Sequence, residues 1–260
     1  MKVTANGVAL NCEIEGREGA PWLTFSNSLA TNLHMWDAQA AALAGDFRIL
    51  RYDKRGHGKS DVPDGAYDFS MLVGDVIGLW DALGIEQSHF VGLSIGGMTA
   101  MGLGLHHADR LSSIVISNAI AEAPAPFVAA WDERIAIVEE NGMQALAAPT
   151  VERWCSDAFF NSGTPVLDDL RAMVGATPAG GFVGCARALQ GLDFEKSLGG
   201  IRTRTLFIAG KEDGATPAAT MSRLAGMVEG AQYVELSPAG HLSNIEQPEG
   251  YTAALRDFLL

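Results

Sequence analysis

The sequence predicts an α/β protein with a mostly parallel sheet of eight strands, flanking helices, and a helical insert after the sixth strand. Two observations carry this prediction. Short apolar stretches of strand character alternate with stretches of helical periodicity along most of the 260 residues. Between residues 119 and 199 this alternation stops, and prolines separate short helical pieces. We therefore expect residues 1–118 and 200–260 to form the core, and residues 119–199 to form a helical lid.

The first half of the chain begins with a predicted hairpin. Asn6 and Gly7 separate two short strand-like segments, and this dipeptide is typical of a two-residue turn. Residues 33–43 have helical character. A second helix has its apolar residues on one face, with Ser70 as the expected N-cap and Gly84 as the expected end. Strands are expected at residues 3–5, 8–14, 21–26, 47–52 and 88–91.

The second half of the chain resumes the alternation after the insert. Residues 114–117 form the expected sixth strand, just before it. Two further strands are expected at 204–209 and 232–236, with a helix over about residues 217–228 between them. The last helix follows Pro248.

A serine stands between glycines in the stretch FVGLSIGG, residues 90–97. Gly92 and Gly96 lie two residues on either side of Ser94, where a predicted strand meets a predicted helix. Glycine allows the backbone to bend sharply at such a point, which would present the Ser94 hydroxyl as a nucleophile. The motif also occurs by chance, so it indicates a catalytic serine only if partner residues exist.

Asp213 and His241 are the expected partners. Each follows a predicted strand, and the loops after parallel strands meet at one edge of a sheet. A histidine can remove the serine proton, and an acid can hold the histidine tautomer. Two alternatives stay open: the adjacent Glu212 as the acid, and an ordinary turn role for Asp213 beside Gly214. Three motifs in this order favour a catalytic triad.

Attack on a carbonyl also requires donors for the developing oxyanion. The backbone N–H of Ile95 is one candidate, because it follows the nucleophile at the start of a helix. The N–H of Leu29, in the loop after the third strand, is the other. For the side chains of Asn27 and Ser28, turn chemistry is as good an explanation as a role in the site.

Composition argues against several functional classes. A net charge of −13 without a Lys/Arg cluster disfavours nucleic acid as a partner. No run of about 20 apolar residues is present, so no membrane span is expected. The three cysteines, Cys12, Cys155 and Cys185, are typical of free thiols in a reducing compartment, which favours a cytoplasmic location. We expect neither a metal nor an organic cofactor, and the sequence does not indicate an oligomeric state.

With these motifs in place, the chain resembles the α/β-hydrolase superfamily over essentially its whole length. The order Ser, Asp, His is the one found in that superfamily. Asp53 and residues 55–60, RGHGKS, resemble its D-x-R-G-x-G-x-S turn after a strand. We interpret this turn as architectural. His57 is therefore expected to be structural, because it precedes the acid and is out of order for the base.

Several stretches are similar to the 3-oxoadipate enol-lactonases: SNSLATNLHMWD, RYDKRGHGKS, HFVGLSIGG, the insert segment WDERIAIVEENGMQALAAPTVERWC, and GHLSNIEQP. The resemblance implies hydrolysis of a small anionic enol-lactone to 3-oxoadipate through an acyl-enzyme, in bacterial breakdown of aromatic compounds. The chain departs from the pattern at Lys54, where a small residue is expected, and at Cys155, where an aromatic residue is expected.

An anionic substrate calls for a cation in the pocket, and arginine pairs well with carboxylates. Arg134 beside Trp131 and Arg153 beside Trp154 are the candidates on the insert. A surface salt bridge of each arginine with its neighbouring glutamate is the competing interpretation. Trp131 is expected to form a pocket wall, with packing inside the lid as the alternative. We select Trp131, Arg134 and Trp154 as substrate-binding residues.

Other functions would use the same fold. A broad-specificity carboxylesterase, a cofactor-free haloperoxidase or perhydrolase, and a carbon–carbon bond hydrolase would all share the triad. A dehalogenase is disfavoured because its nucleophile is an aspartate, whereas this chain has Ser94. A ligand receptor without catalytic activity is the alternative from a different class. In every case the expected partner is a small molecule, namely an ester or a lactone for the hydrolases.

Overall fold

The computed structural model describes residues 1–260, and eight strands form one sheet at its centre. The strands are β1 (Lys2–Ala5), β2 (Val8–Gly16), β3 (Trp22–Ser26), β4 (Arg48–Tyr52), β5 (Ser88–Leu93), β6 (Leu111–Ser117), β7 (Thr205–Gly210) and β8 (Gln232–Leu236). Their order in the sheet is β1-β2-β4-β3-β5-β6-β7-β8. β2 runs antiparallel to β1 and β4, and all other pairs are parallel. The predicted α/β architecture is thus confirmed.

Eleven α-helices accompany the sheet: α1 (Asp37–Leu43), α2 (Phe69–Leu83), α3 (Ile95–His106), α4 (Ala125–Asn141), α5 (Gln144–Trp154), α6 (Asp157–Asn161), α7 (Val166–Gly175), α8 (Ala179–Gln190), α9 (Ala218–Ala225), α10 (Ser243–Glu246) and α11 (Pro248–Leu259). The helix expected at 33–43 begins as a 3-10 turn, Leu33–Trp36, before α1. None of the helices combines the length and the apolar character that a membrane crossing requires.

Local sequence signals explain where several elements turn or end. Asn6 and Gly7 have φ of 48° and 77° and connect β1 to β2, as the hairpin prediction requires. Gly84 ends α2 with a φ of 68°. The prediction that Ser70 is the N-cap of this helix is wrong. Helix α2 begins earlier, and the carboxylate of Asp68 accepts a hydrogen bond from Met71 N at 2.7 Å.

The central strands are buried along nearly their whole length. Every residue of β7 is buried, as are all but one residue of β5 and all but one of β6. A parallel strand covered on both faces needs apolar side chains in both directions, so these strands form nearly continuous apolar runs in the sequence. The buried strands hold the loops at their carboxyl ends in fixed positions.

Five helices, α4 to α8, separate β6 from β7, and no strand of the sheet occurs among them. The two ends of this insert pair with each other. Ala123 N donates to Leu192 O at 3.0 Å, and Phe194 N donates to Ala121 O at 2.7 Å. The chain therefore leaves the core and returns to it at adjacent points.

Candidate active site

Ser94 lies on a sharp turn between β5 and α3. Its φ of 58° and ψ of −120° are strained for a residue with a Cβ, and its N–H donates to Ser117 O on β6 at 2.9 Å. A Cβ on Gly92 would lie 2.0 Å from Gly96 O, and a Cβ on Gly96 would lie 2.3 Å from Ser26 O. Only glycine fits at both positions. Strain of this kind is typical of a functional position and argues against a purely structural protein.

Asp213 follows β7 and has all its carboxylate lone pairs directed at donors. Oδ1 accepts from Ala215 N at 2.8 Å and from Thr216 N at 3.0 Å. Oδ2 accepts from the Thr216 hydroxyl, from Asn118 Nδ2 at 2.9 Å and from His241 Nδ1 at 2.8 Å. Burial by itself would raise the pKa of Asp213, but His241 and the hydrogen bonds outweigh it and lower the pKa to about 2.

His241 follows β8 and is held from three sides. Its Nδ1 contacts Asp213, its backbone N–H donates to Trp154 O at 2.6 Å, and its ring stacks on Trp154 with centroids 6.2 Å apart. Because Asp213 occupies Nδ1, Nε2 is the ring nitrogen left to accept a proton. The alternative acid, Glu212, instead accepts hydrogen bonds from Ala239 N and Ser237 Oγ. The structure therefore pairs the histidine with Asp213.

A cavity of about 220 Å³ lies where the insert meets the core. Ser94, His241 and Leu29 line it from the core, and the expected substrate-binding residues Trp131, Arg134 and Trp154 line it from the insert. The wall also has an apolar part that no sequence motif predicted. It includes Met98, Phe127, Ala130, Phe182 and Leu189. Their positions follow from helix packing and have no local sequence signal.

Arg153 also lines the cavity, so both candidate arginines face it. Neither forms a salt bridge, which argues against the competing interpretation of surface ion pairs with adjacent glutamates. The Arg134 guanidinium lies 4.8 Å from the centre of the Trp131 ring. Burial lowers the pKa of Arg134 against the opposing effect of the Glu133 charge, and burial together with the Arg134 charge lowers the pKa of Arg153 to about 10. The wall therefore carries two positive charges without a carboxylate partner.

The two backbone N–H groups expected to bind the oxyanion lack partners of their own in the elements around them. Ile95 is the first residue of α3, so its N–H has no partner within the helix. The N–H of Leu29 has no acceptor in the protein. The Asn27 side chain donates to Tyr52 O at 2.9 Å, which gives it a role in holding the loop.

A family model described as the alpha/beta hydrolase fold matches residues 21–248. The chain belongs to the α/β-hydrolase family. It is 38% identical to 3-oxoadipate enol-lactonase 1 of Acinetobacter baylyi over all of this chain and 96% of that protein. It is 34% identical to 3-oxoadipate enol-lactonase 2 of the same organism, over 97% of this chain and 94% of that protein.

Among solved structures, the enol-lactonase from Burkholderia xenovorans LB400 matches this hydrolase with a TM-score of 0.96 and 38% identity, covering 100% of this chain and 99% of that one. The comparisons show that the chain is an enzyme of the class that hydrolyses carboxylic esters and lactones.

The RGHGKS turn of the hydrolase is architectural, as expected. His57 is completely buried, and its Nδ1 lies 3.1 Å from Arg55 O, so Nδ1 carries the proton. Its Nε2 accepts from Ala30 N at 3.0 Å. Burial and the charge of Lys54 lower the pKa of His57 well below its usual value, which keeps the ring neutral.

A carboxylate that sequence analysis missed connects the His241 loop of the hydrolase to its insert. Glu246 accepts from Gly240 N at 2.9 Å, from Ser156 N at 3.1 Å and from Ser156 Oγ at 2.6 Å. Burial raises the pKa of Glu246 against the opposing effect of these hydrogen bonds. Ser156 is 90 residues from Glu246 in the sequence, and Gly240 is six residues from it. No local sequence pattern predicts that one carboxylate binds both.

The side chains that commonly bind metals are dispersed in the hydrolase. The three cysteines are buried free thiols. No group of three or more His, Cys, Asp or Glu residues is placed to hold a metal ion. The groups that line the cavity are instead hydroxyls, an imidazole, indoles and guanidinium groups, which suit an organic anion.

Proposed function

We propose that this enzyme hydrolyses 3-oxoadipate enol-lactone, or a small anionic enol-lactone of the same kind, to the open-chain 3-oxo-dicarboxylate. The observation that carries the proposal is the pair Arg134 and Arg153, which lack carboxylate partners in the cavity that contains Ser94 and His241. Arginines without a salt bridge in a largely apolar cavity wall favour a substrate that brings its own carboxylate. The similarity to enol-lactonases supports the same substrate class.

In the proposed mechanism, Ser94 Oγ attacks the lactone carbonyl while Nε2 of His241 removes the hydroxyl proton. The negative charge that develops on the carbonyl oxygen is stabilised by the N–H groups of Leu29 and Ile95. Asp213 remains ionised, because its low pKa keeps the proton on His241, and it stabilises the imidazolium.

Collapse of the tetrahedral intermediate breaks the ring C–O bond. The enolate oxygen takes the proton from His241, and the enol tautomerises to a ketone, which makes it a good leaving group. The acyl group stays bound to Ser94, so the leaving group remains attached through the chain of the substrate. A water molecule that loses its proton to His241 then attacks the acyl-enzyme. The bond between the acyl carbon and Ser94 Oγ breaks, His241 returns the proton to Oγ, and the diacid is released.

We further propose that residues 119–199 act as the lid over this site. The insert supplies Arg134, Arg153 and both tryptophans of the cavity wall, whereas the nucleophile and base come from the core. In this arrangement the substrate carboxylate offsets the repulsion between the two guanidinium groups. Trp131 and Trp154 then form walls beside the lactone ring.

The proposal is tested by incubating the purified protein with 3-oxoadipate enol-lactone and following the ultraviolet loss of the enol chromophore. We expect rapid loss that is abolished in Ser94→Ala. In Arg134→Leu and Arg153→Leu, KM should rise by roughly 10- to 100-fold, because a charge-assisted hydrogen bond contributes about 1.5–3 kcal/mol. Arg202→Leu, at an exposed arginine outside the cavity, is the matched control and should match wild type.

A neutral ester separates the lactonase from a broad-specificity esterase. Hydrolysis of p-nitrophenyl acetate should depend on Ser94 but change little in the two arginine variants, because this substrate has no carboxylate. Efficient turnover of p-nitrophenyl acetate without turnover of the enol-lactone would retain the nucleophile and refute the proposed substrate.

A further inference from the structure

Lys54 is a buried lysine without a carboxylate partner. It lies in the loop after β4 and is 4% exposed. Its Nζ donates one hydrogen bond, to Ser28 O at 2.7 Å. Burial lowers the pKa of Lys54 to about 8, with partial compensation from Cys185 and Asp53. A lysine is almost never buried without pairing, and removing an ammonium from water is costly, so this position needs an explanation.

The single acceptor of Lys54 belongs to the peptide group that carries the Leu29 N–H. In a trans peptide the C=O of Ser28 and the N–H of Leu29 lie in one plane and point in opposite directions. Any group that fixes the carbonyl oxygen therefore fixes the direction of the N–H. Thr31 Oγ1 is a second donor to the same oxygen, at 2.8 Å. Leu29 lines the cavity with Ser94, and its N–H has no acceptor.

We propose that Lys54 is a positioning residue for the oxyanion hole, acting through the Ser28–Leu29 peptide. The ammonium holds the Ser28 carbonyl so that the Leu29 N–H is directed at the reacting carbonyl. It also polarises the peptide, because hydrogen bonds in a chain strengthen one another. The donor is thus stronger when negative charge develops in the transition state, where such stabilisation matters most. This inference rests on the proposed role of Leu29.

Other contacts hold the same loop but act on different groups. Ala30 N donates to His57, Leu33 N donates to Asp53 Oδ1 at 2.8 Å, and the Asn27 side chain donates to Tyr52 O. These contacts fix the path of the loop. Only Lys54 and Thr31 bind the carbonyl whose peptide carries the proposed donor, so their effect on catalysis should differ from a general loosening of the loop.

The test compares Lys54→Met with Lys59→Met. Methionine keeps a long apolar side chain in the buried position and removes the ammonium, whereas Lys59 is exposed in the same loop. We expect kcat of Lys54→Met to fall roughly 10- to 100-fold with KM changed less than about 2-fold, which is less than the 10²- to 10³-fold loss of a whole donor. Lys59→Met should match wild type.

Ligand binding separates this role from a merely structural one. Phenylboronic acid forms a tetrahedral anionic adduct with a catalytic serine and so reports on the oxyanion hole. Adipate binds without such an adduct and reports on the ground-state pocket. In Lys54→Met, affinity for the boronic acid should fall by the same factor as kcat, while affinity for adipate stays at the wild-type value.

Thr31→Val supplies a second variant if Lys54→Met does not fold. It removes the other donor to the Ser28 carbonyl and should lower kcat and boronic acid affinity by a smaller factor, about 2- to 10-fold. Wild-type values of both quantities in Thr31→Val, or a loss of adipate affinity in Lys54→Met equal to the loss of boronic acid affinity, would overturn the inference.

The kcat of each variant is divided by the kcat of wild type, and both are measured on the same substrate. That substrate is the enol-lactone or p-nitrophenyl acetate, whichever the wild-type enzyme hydrolyses. Absence of lactone turnover then refutes the proposed substrate and leaves the Lys54 ratio measurable. A normal lactonase whose kcat does not respond to Lys54→Met refutes the Lys54 inference and leaves the proposed function intact.

Discussion

Replacing Asp213 with asparagine tests the proposed base sharply, because the two carboxylate oxygens have different partners. Oδ1 accepts two backbone N–H groups, from Ala215 and Thr216. The amide oxygen of an asparagine should take this position, because these two backbone N–H donors cannot reorient, whereas the Thr216 hydroxyl on the other oxygen can turn. The NH₂ group then points at His241 Nδ1. His241 must accept at Nδ1 and carry its proton on Nε2, so it cannot remove the Ser94 proton.

The expected magnitude follows from this wrong tautomer. The equivalent change in a serine-protease triad lowers kcat about 10⁴-fold, which corresponds to about 5 kcal/mol of activation free energy. The new NH₂ group also faces the donors Thr216 Oγ1 and Asn118 Nδ2. We therefore expect the free energy of unfolding to fall by about 1–3 kcal/mol as well. KM should change little, because Asp213 does not line the cavity.

The assay is steady-state kinetics on a substrate that the wild type hydrolyses, with urea unfolding to establish the folded fraction. Glu212→Gln is the matched control, because its carboxylate accepts hydrogen bonds from Ala239 and Ser237 and does not bind the histidine. It should keep kcat within about 3-fold of wild type, since surface substitutions have small effects. A folded Asp213→Asn enzyme with more than a tenth of wild-type kcat, or a larger loss in Glu212→Gln, would refute the tautomer argument.

Three other substitutions have expected outcomes that urea unfolding can measure. Gly240→Ala should destabilise the protein by about 1–3 kcal/mol and lower kcat, because its Cβ would lie 2.4 Å from Trp154 O. Glu246→Gln should also lower stability at neutral pH. A raised pKa means that the folded state binds this proton more tightly than the unfolded state, so wild type gains stability as the pH falls toward the pKa of Glu246. The glutamine does not titrate, so the stability difference between the two proteins should widen as the pH falls. Asp75→Asn should cost about 3–5 kcal/mol, since it leaves the buried Arg55 guanidinium without its counter-ion.

Each of these changes has a control on an open or exposed position: Gly45→Ala, Glu249→Gln and Asp81→Asn. All three controls should stay within about 0.5–1 kcal/mol of wild type. A stability difference for Glu246→Gln that shrinks as the pH falls would contradict its expected sign. An Asp75→Asn protein as stable as its control would show that the Arg55 guanidinium finds another partner.

The order of strands and helices could be predicted because periodicity and turn residues are local signals. The positions of Ser94, Asp213 and His241 could be predicted for a related reason, since each follows a strand and parallel strands bring such loops together. Helix ends depend on capping residues that several neighbouring positions can supply. The carboxylate of Asp68 caps α2 two residues before the predicted Ser70, and both residue types are good N-caps.

The arginine contacts show where local sequence misleads. Glu133 and Glu152 each precede an arginine and so suggested ion pairs. Adjacent residues on a helix do not face each other, so a neighbouring carboxylate is poorly placed to meet the guanidinium. The arginines instead line the cavity. Lys54 stood out in the sequence as a departure, but its contact with Ser28 depends on tertiary structure between residues 26 positions apart.

One short segment of the insert contacts both the cavity and the loop of the proposed base. Arg153 lines the cavity, and the next residue, Trp154, accepts the backbone N–H of His241 and stacks on its ring. Ser156 then binds Glu246, which also holds the loop before the histidine. A substrate carboxylate bound by Arg153 would therefore be connected to the proposed base through the next residue, Trp154. A shift of residues 153–156 would move Arg153 and the contacts of His241 together, so we expect carboxylate binding and base alignment to depend on each other.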